Sequence, residues 1–410
     1  MALIKVLEIE TVGLKQKFFK SPWLFSNQII HKSDNELNND KVSLVQIKGT
    51  KKVGVYCKNS LISIRFLPDS LFEKIENGFI KKDQFIDVIF NHLVNLKKAK
   101  SKFNFTNKEA FRLSHGDNDG LPAIAIDDYQ SVLVLQSSSQ AGEYILPYVI
   151  DALKQIDERS IFERSTGQIR KLENLPERTR WIREPLNKDQ NFEINCLFSS
   201  LNMTFFLNKA QKTGLFLDQR NNLTYLANII KNYNINSCLD ICSYAGSWSS
   251  IAANSGVENL TLIDQDSWAL NLAKRNILAN AKGNTTIETL HGDMFEHMQG
   301  LIKNEKKFDL IIADPPAFAK SKKHIHEAKR AYSRMAKLAS KLLSENGLLI
   351  VCSCSRNIKD SEFLESVSLG LEEGNWVFIH KGEQSPCHTH LAHPDSSEYL
   401  KCYFLNNRVL

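Results

Sequence analysis

The chain has 410 residues, of which 42% are hydrophobic and 24% are charged, and its formal net charge is +6. These values are close to the average for globular proteins, so they exclude a disordered tail protein, a collagen-like repeat and a coiled-coil rod. No apolar run approaches the roughly 20 residues that a membrane helix needs, and the first ten residues lack a signal-peptide core. The eight cysteines follow no disulfide framework, which favours reduced thiols in a cytosol. A moderate positive charge permits a polyanionic partner without requiring one.

Three segments of different pattern follow one another, and we expect each to form a domain. Residues 1–67 contain short alternating runs separated by Gly, Asn and Lys, which predicts a small β domain. Residues 68–199 begin with an amphipathic pattern from Ser70 to Ala99, which predicts a helix. The rest of that segment mixes strand and helix patterns, which is typical of an α+β domain. Residues 200–410 alternate strands and helices regularly, which predicts an α/β domain with a parallel sheet covered on both faces.

The predicted strands of the third segment end in residues that could bind a nucleotide. Doubly wound sheets bind their ligands at the carboxyl ends of the strands. The candidate cofactor-binding residues at these ends are Asp240, Ser243, Tyr244, Gly246, Asp264, Asp293, Asp314 and Pro315. Asp264 follows Asp240 by 24 positions, near the spacing at which a βαβ unit places a ribose-binding carboxylate. An Asp after a strand is more often a helix cap, but four such strand ends together favour a ligand site.

The turn after the first of these strands indicates which nucleotide would fit. A dinucleotide-binding loop has three glycines in the pattern Gly-x-Gly-x-x-Gly, whereas here Gly246 stands alone. The loop therefore lacks a phosphate-binding pattern and favours an adenosine ligand without phosphates. S-adenosylmethionine is such a ligand.

Several motifs together resemble a known family. Asp314-Pro315-Pro316 is typical of class I methyltransferases that act on nucleic-acid bases. The run from Thr213 to Arg220, Thr-Gly-Leu-Phe-Leu-Asp-Gln-Arg, resembles the signature of the RlmI-type large-subunit ribosomal RNA methyltransferases. The further motifs that resemble this family are Phe19 to Ser26, Asp117 to Pro122, Ser353-Cys354-Ser355, His393-Pro394 and Tyr399-Leu400-Lys401. The resemblance runs in the same order over essentially the whole chain.

The resemblance implies a PUA-like RNA-binding domain, a central α+β domain and a Rossmann-like methyltransferase domain with a mostly parallel, seven-stranded sheet. It implies a cytoplasmic enzyme that uses S-adenosylmethionine on large-subunit ribosomal RNA or its assembly intermediate, and it leaves the oligomeric state open, a homodimer included. It also implies Cys354 as the catalytic cysteine. We expect Asp218 and Arg220 to order the loop that closes over the cofactor; alternatively, both merely start the next helix, with Asp218 as its cap. The chain departs from the family at Ser247 and Trp248, which replace Gly and Phe and could crowd the cofactor loop.

The candidate cysteine suits methylation of cytosine at carbon 5. That carbon becomes nucleophilic when a thiolate adds to carbon 6. Cys354 ends the fifth predicted strand beside Asp314, whose carboxylate could bind the edge of the base. Ala317 stands where many two-cysteine enzymes carry a second Cys, so the group that removes the carbon-5 proton is left open between a water and Asp314. The competing interpretation is that Cys354 is an ordinary buried strand cysteine.

Cations and one aromatic residue are candidates for contact with RNA. These candidates are Lys320, Lys322 and Lys323 after the Asp-Pro-Pro motif, Trp23 and Arg65 in the first segment, and the basic run from Lys97 to Lys102. The alternatives are a solvated loop for the lysines, and a core position for Trp23. No metal site is expected, because the cluster of Cys387, His388, His390 and His393 lacks the spacing of a zinc motif.

Two other functions remain open from the sequence. The first is methylation of a guanine ring nitrogen, which needs no thiol. The second is a ribosome assembly factor that binds RNA and has lost turnover, which the unusual Gly246-Ser247-Trp248 turn keeps open.

Overall fold

The computed structural model describes residues 2–12, 21–30, 41–103, 108–185, 192–319, 321–392 and 399–408. None of the helices in these ranges has the length and apolar character needed to cross a membrane. The chain divides into two compact units. The N-terminal unit consists of Met1–Ile194, Phe206–Leu215 and Pro386–Ser397. The C-terminal unit consists of Asn195–Phe205, Phe216–Ser385 and Glu398–Leu410.

The N-terminal unit begins with a sheet of short strands, as the alternating pattern predicts. Its strands are β1 (Leu3–Thr11), β2 (Trp23–Phe25), β3 (Ile29–Ile30), β4 (Val42–Ile47), β5 (Val53–Cys57), β6 (Ile62–Phe66) and β7 (Phe79–Lys81). The order across this sheet is β2-β6-β5-β4-β1-β3, and β7 pairs with the opposite end of β1. Only β1 and β4 pair in parallel among these strands.

The rest of the N-terminal unit is a five-stranded sheet with helices. Its elements are α1 (Lys82–Lys100), β8 (Phe111–His115), β9 (Ile124–Asp128), β10 (Val132–Ser137), α2 (Gln140–Ile156), β11 (Ser160–Ser165), α3 (Gln168–Leu172) and β12 (Arg178–Arg183), with the strands in the order β12-β11-β10-β9-β8. The predicted helix from Ser70 was wrong in its start. Gly78 adopts a φ of 76°, and the next three residues pair with β1 as β7, so the continuous helix begins only at Lys82.

One hydrophobic core joins the first two predicted segments. Leu44 of the first sheet lies in the same buried cluster as Phe85 of α1 and Ile145 of α2. Other side chains of the first sheet, among them Ile9 and Ile64, form a second and smaller buried cluster. The boundary expected near residue 67 therefore falls within a shared core, and the division into three domains stays a prediction.

The C-terminal unit contains the α/β domain. Its elements are β13 (Glu193–Phe198), which begins in the N-terminal unit, β14 (Leu201–Phe206), α4 (Arg220–Ile230), β15 (Ser237–Ile241), α5 (Ser247–Asn254), β16 (Asn259–Asp264), α6 (Ser267–Asn280), β17 (Thr286–His291), α7 (Met294–Lys303), β18 (Phe308–Ala313), α8 (Ile325–Leu342), β19 (Leu343–Ser353), α9 (Asp360–Gly370), β20 (Asn375–Gly382) and β21 (Lys401–Arg408). The short hairpin of β13 and β14 was not predicted, and neither was α9.

The large sheet has the strand order β17-β16-β15-β18-β19-β21-β20. The five strands from β17 to β19 are parallel, whereas β21 runs antiparallel to both of its neighbours. The strand order reverses between β15 and β18, and the carboxyl ends at such a switch point form the ligand-binding edge of a doubly wound sheet. Side chains from the sheet and its helices, among them Ile311 of β18 and Met335 of α8, form the core below this edge. The expected α/β, Rossmann-like class is confirmed.

Candidate active site at the strand ends

The loop after β15 has a tightly constrained backbone. Cys242, Tyr244 and Gly246 have positive φ values of 64°, 46° and 75°. A Cβ on Gly246 would lie 2.8 Å from the Cβ of Ala273 on α6, so a side chain does not fit there. Glycine is therefore required at position 246 for two reasons: the backbone there is left-handed, and α6 approaches too closely for a side chain.

The carboxylate of Asp264 holds this loop from the end of β16. Its Oδ2 accepts the backbone N–H of Tyr244 at 2.9 Å, and its Oδ1 accepts the backbone N–H of Asp266 at 2.9 Å. Asp293 is the N-cap of α7, since its Oδ1 accepts two backbone N–H groups of the first turn. Each carboxylate oxygen has more than one acceptor site, so these structural roles leave both residues able to accept ligand hydroxyls or amines.

Asp240 is fully buried on β15. Its Oδ2 accepts the hydroxyl of Ser249 at 2.6 Å, and its Oδ1 is buried without a hydrogen-bond partner among the described residues. Burial, together with the negative charges of Asp314 and Asp264, raises the pKa of this carboxyl to about 7. The hydroxyl of Ser243 is likewise buried without such a partner within the described ranges. Orphaned buried polar groups of this kind indicate a missing ligand or ordered water.

Two donors fix the carboxylate of Asp314 at the end of β18. Its Oδ2 accepts the side-chain amide of Gln219 at 2.9 Å and the indole N–H of Trp248 at 3.1 Å. The carbonyl oxygen of Gln219 accepts the amide of Asn222 at 2.6 Å, which sets the orientation of the Gln219 amide. The departure at Trp248 therefore supplies a donor to Asp314, whereas the sequence suggested only crowding. Gln219 was also missed, although it lies within the Thr213–Arg220 motif.

The two charged residues of that motif make contacts within the C-terminal unit. Asp218 accepts a hydrogen bond from the hydroxyl of Tyr399, and its backbone carbonyl accepts the N–H of Ser385 at 2.8 Å. No side-chain hydrogen bond caps α4, so the capping alternative for Asp218 is wrong. The guanidinium of Arg220 lies 5.0 Å from the centre of the Phe198 ring. A role for Asp218 and Arg220 at the cofactor stays a prediction.

Cys354 follows directly after β19, at the same edge of the sheet. Of the eight cysteines, all within the described ranges, only Cys242 and Cys354 are partly exposed. Cys352 is buried in the core, with its Sγ 3.4 Å from that of Cys402. Burial raises the pKa of the Cys242 thiol, and four nearby carboxylates raise it further, so that thiol is a poor nucleophile.

Those four carboxylates concentrate negative charge at the strand ends. They are the side chains of Asp240, Asp264, Asp293 and Asp314, and each disfavours ionisation of the Cys242 thiol. A ligand that carries positive charge would reduce this repulsion, and its hydroxyl donors could supply a hydrogen bond to the unpaired Asp240 oxygen. S-adenosylmethionine carries a sulfonium and a ribose, so the residues present fit the expected cofactor.

The candidates for RNA contact differ in exposure. Lys322 and Lys323 are exposed in a short 3₁₀ turn before α8, and Lys320 lies outside the described residues. Arg65 is buried and forms an ion pair with Asp117 at 2.5 Å, so its expected exposure to a phosphate is corrected: its charge is compensated within the fold. Trp23 is partly buried on β2, beside Arg65 on β6, and its indole nitrogen is buried.

The cluster of Cys and His near the C-terminus belongs to a polar network of the N-terminal unit. No group of metal-ligating side chains is found among the described residues. The buried ammonium of Lys100 forms an ion pair with Asp119 at 2.5 Å and donates to the carbonyl of Cys387 at 2.8 Å. The side-chain amide of Asn118 donates to the carbonyl of Thr389 at 2.7 Å. The turn at 117–120 therefore anchors the segment that contains the cluster.

In the same segment, both Cys387 and its neighbour His388 are buried. Burial holds its pKa well below the ordinary value, and the charges of Arg112, His115, Lys100 and Lys212 add to this effect. His388 is therefore neutral near pH 7.

Comparison with known proteins agrees with the fold and with the motifs. Residues 224–368 match the family model described as Conserved hypothetical protein 95. The chain is 31% identical over 375 residues to a Methanocaldococcus jannaschii protein provisionally named ribosomal RNA large subunit methyltransferase MJ1653, which covers 91% of this chain and 93% of that relative. It is 28% identical over 394 residues to ribosomal RNA large subunit methyltransferase I of Pseudoalteromonas atlantica, with 95% of each chain covered.

Among solved structures, the fold is similar to that of SMU.776, provisionally named a methyltransferase and crystallised with SAH. The TM-score is 0.76 at 20% identity, and the match covers 98% of this chain and 100% of the other. The identity to the archaeal relative, over nine-tenths of both chains, shows the family. The chain belongs to the RlmI-type family of large-subunit ribosomal RNA methyltransferases.

Proposed function

We propose that this protein methylates carbon 5 of a cytosine in large-subunit ribosomal RNA, with S-adenosylmethionine as methyl donor and Cys354 as nucleophile. The observation that carries the proposal is the position of Cys354. It is partly exposed at the strand ends, while Cys242, the other partly exposed cysteine, is surrounded by carboxylates that disfavour its thiolate. The family of the chain supports the RNA substrate.

The cofactor-binding residues are those at the strand ends. Asp264 would accept the ribose hydroxyls, Asp293 the amine edge of the adenine, and Asp240 would offset the positive charge of the ligand. Gly246 lets the loop approach closely. S-adenosylmethionine, when bound, supplies an electrophilic methyl group on a sulfonium.

The remaining binding assignments concern Ser243, Tyr244, Asp218, Arg220 and Pro315. The buried Ser243 hydroxyl and the Tyr244 backbone lie in the loop that Asp264 holds. The other three flank the site from the Asp-Gln-Arg and Asp-Pro-Pro motifs.

The residues of the chain would then act in a fixed order. The sulfur of Cys354 adds to carbon 6 of the cytosine, and the electron pair of the 5,6 double bond makes carbon 5 nucleophilic. Asp314 accepts a hydrogen bond from the base edge, held in one orientation by Gln219 and Trp248. Carbon 5 would take the methyl group, with the rest of the donor leaving as a neutral thioether, and a base, either Asp314 or a water, would remove the proton from carbon 5. The bond between carbon 6 and sulfur breaks, which restores the cysteine.

Contacts to the RNA backbone would come from exposed cations beside this site. Lys322 and Lys323 follow the Asp-Pro-Pro motif and are exposed, and Lys320 is assigned to the same role from the sequence. Replacing Lys322 and Lys323 by Gln should flatten the slope of log K against log salt by roughly 0.7–0.9 for each phosphate that the two lysines neutralise. Trp23 is proposed as a stacking residue in the β domain.

The test is a covalent trap. In RNA that contains 5-fluorocytidine, methyl transfer leaves no proton on carbon 5, so the adduct with the cysteine persists on a denaturing gel. The wild type should form this adduct in the presence of S-adenosylmethionine, and Cys354→Ala should not. Cys57→Ala, at a buried cysteine of the N-terminal unit, is the matched control and should keep the adduct.

Mapping of methylated nucleotides by mass spectrometry separates the alternatives. Full methylation by Cys354→Ala would refute the thiol mechanism and favour a guanine ring nitrogen. A wild-type chain that binds RNA but methylates no nucleotide would favour the assembly factor.

A further inference from the structure

We propose that Tyr332 is a positioning residue that presents Cys354 to the RNA base by holding the two serines on either side of it. This inference rests on the proposed function, in which Cys354 is the nucleophile. Tyr332 lies on α8 and is fully buried, so it does not touch the substrate.

The hydroxyl of Tyr332 bridges the two serine hydroxyls. Its oxygen lies 2.7 Å from Oγ of Ser353 and 3.1 Å from Oγ of Ser355. Both serines are fully buried, whereas Cys354 between them is partly exposed. With both flanking side chains held in the interior, the turn leaves the cysteine as the residue that reaches the surface.

The same cluster connects the cysteine turn to the loop that follows Asp314. The backbone N–H of Ala319 donates to Oγ of Ser355 at 3.4 Å, and the amide of Asn357 donates to the carbonyl of Ala319 at 3.0 Å. Tyr332 therefore sits where the two catalytic segments meet. Its hydrogen bonds help set where the thiol lies relative to Asp314, and proton transfer and addition are sensitive to displacements of this kind.

A third element fixes the backbone of the turn. The buried ammonium of Lys401 on β21 donates to the carbonyl of Ser355 at 2.8 Å and to the carbonyl of Tyr399 at 3.1 Å. Burial raises the pKa of the Tyr332 hydroxyl, so it stays protonated and able to donate at neutral pH. The turn is thus held by its backbone from one side and by its side chains from the other.

The aromatic ring of Tyr332 is secured independently of its hydroxyl. It packs against Phe318 and Phe363, with centroid distances of 4.8 and 4.9 Å. Tyr332→Phe consequently removes the bridge and keeps the packing. Tyr403 offers a matched control, because it is also buried, also packs on Phe363, and donates its hydroxyl to Asp360 at 2.7 Å instead of to either serine beside Cys354.

The experiment compares Tyr332→Phe with Tyr403→Phe. Each chain is assayed for the rate of adduct formation with 5-fluorocytidine RNA, for kcat and KM, and for the rate at which iodoacetamide alkylates Cys354. Tyr332→Phe removes both hydrogen bonds of the bridge and should slow adduct formation and kcat by about tenfold or more, with little change in KM. It should also change the alkylation rate of Cys354. Tyr403→Phe should leave all of these at the wild-type value, even if its melting temperature falls.

Several outcomes would overturn the inference. Wild-type adduct and alkylation rates in Tyr332→Phe would do so, as would an equal slowing in Tyr403→Phe, which indicates general loosening of the core. If Tyr332→Phe does not fold, Ser353→Ala and Ser355→Ala remove the same bridge from its other end. Wild-type rates in both of these variants would overturn the inference. Full methylation by Cys354→Ala is the separate result that defeats the proposed function itself.

Discussion

Replacing Asp240 by Asn should change how the stability of the C-terminal unit depends on pH. Asp240 is fully buried, and its carboxyl has a pKa of about 7 in the folded chain against 3.8 ordinarily. A raised folded pKa means that the stability from this group is present at low pH and lost as pH rises through about 7. At 1.36 kcal/mol for each pH unit, the wild type should lose about 3 kcal/mol between pH 5 and pH 8, and Asp240→Asn should lose none of it.

The measurement is hydrogen exchange of the β15 and β18 amides at both pH values, which reads the C-terminal unit separately. Asp309→Asn is the control on the same sheet. Asp309 accepts hydrogen bonds from Asn236, Ser237 and Ser344, which lower its pKa, so it is ionised at pH 5 and at pH 8. Its loss should destabilise the unit by about 1–3 kcal/mol equally at both pH values. Parallel pH profiles for the wild type and Asp240→Asn would refute the reasoning.

Asp240→Asn should also weaken the binding of S-adenosylmethionine. A cationic ligand gains from an ionised Asp240, so S-adenosylmethionine should protect the wild type more strongly at pH 8 than at pH 5. In Asp240→Asn this protection should be smaller and nearly independent of pH. Isothermal calorimetry at the two pH values measures both effects.

Three further substitutions test other parts of the structure. Gly246→Ala should cost at least about 2 kcal/mol and abolish cofactor binding, because its Cβ would meet Ala273 at 2.8 Å in a left-handed conformation; thermal unfolding and calorimetry measure this. Because the pKa of His388 is lowered, the N-terminal unit should lose stability as pH falls below 6.5, and His388→Leu should remove this acid sensitivity in urea unfolding. Lys100→Met should leave Asp119 buried without its cation and cost about 3–5 kcal/mol in the same assay, and adding Asp119→Asn should restore part of it.

The sequence predicted best those features that depend on neighbouring residues. The strands and helices of residues 237–353 have alternating or periodic patterns bounded by turn residues, so their regular alternation was predicted correctly. The ligand-binding edge followed from the same pattern, because parallel strands place their carboxyl ends together. The helix predicted from Ser70 was wrong at its start, because Phe79–Lys81 pair with a strand that is distant in sequence, β1, and do not follow the local helical pattern.

Side-chain partners that are far apart in sequence could not be predicted. Gln219 and Trp248 reach Asp314 across 95 and 66 positions, and no local pattern encodes such a pairing. The ion pair of Arg65 with Asp117 spans 52 positions, so the sequence suggested an exposed cation where the fold holds a compensated one. In each case the sequence shows the residue type, whereas its partner is known only from the fold.

The N-terminal unit is assembled from three separate stretches of chain, and this has a consequence for synthesis on the ribosome. Its last stretch, Pro386–Ser397, supplies the carbonyl that the Lys100 ammonium binds, 287 positions further along the chain. At about 5–20 residues per second, that carbonyl emerges roughly 15–60 s after Lys100 does. During this interval Lys100 lacks one of its native partners. Chaperones that bind nascent chains therefore have this whole interval in which to meet an unfinished N-terminal unit, although most residues of that unit precede those of the C-terminal unit.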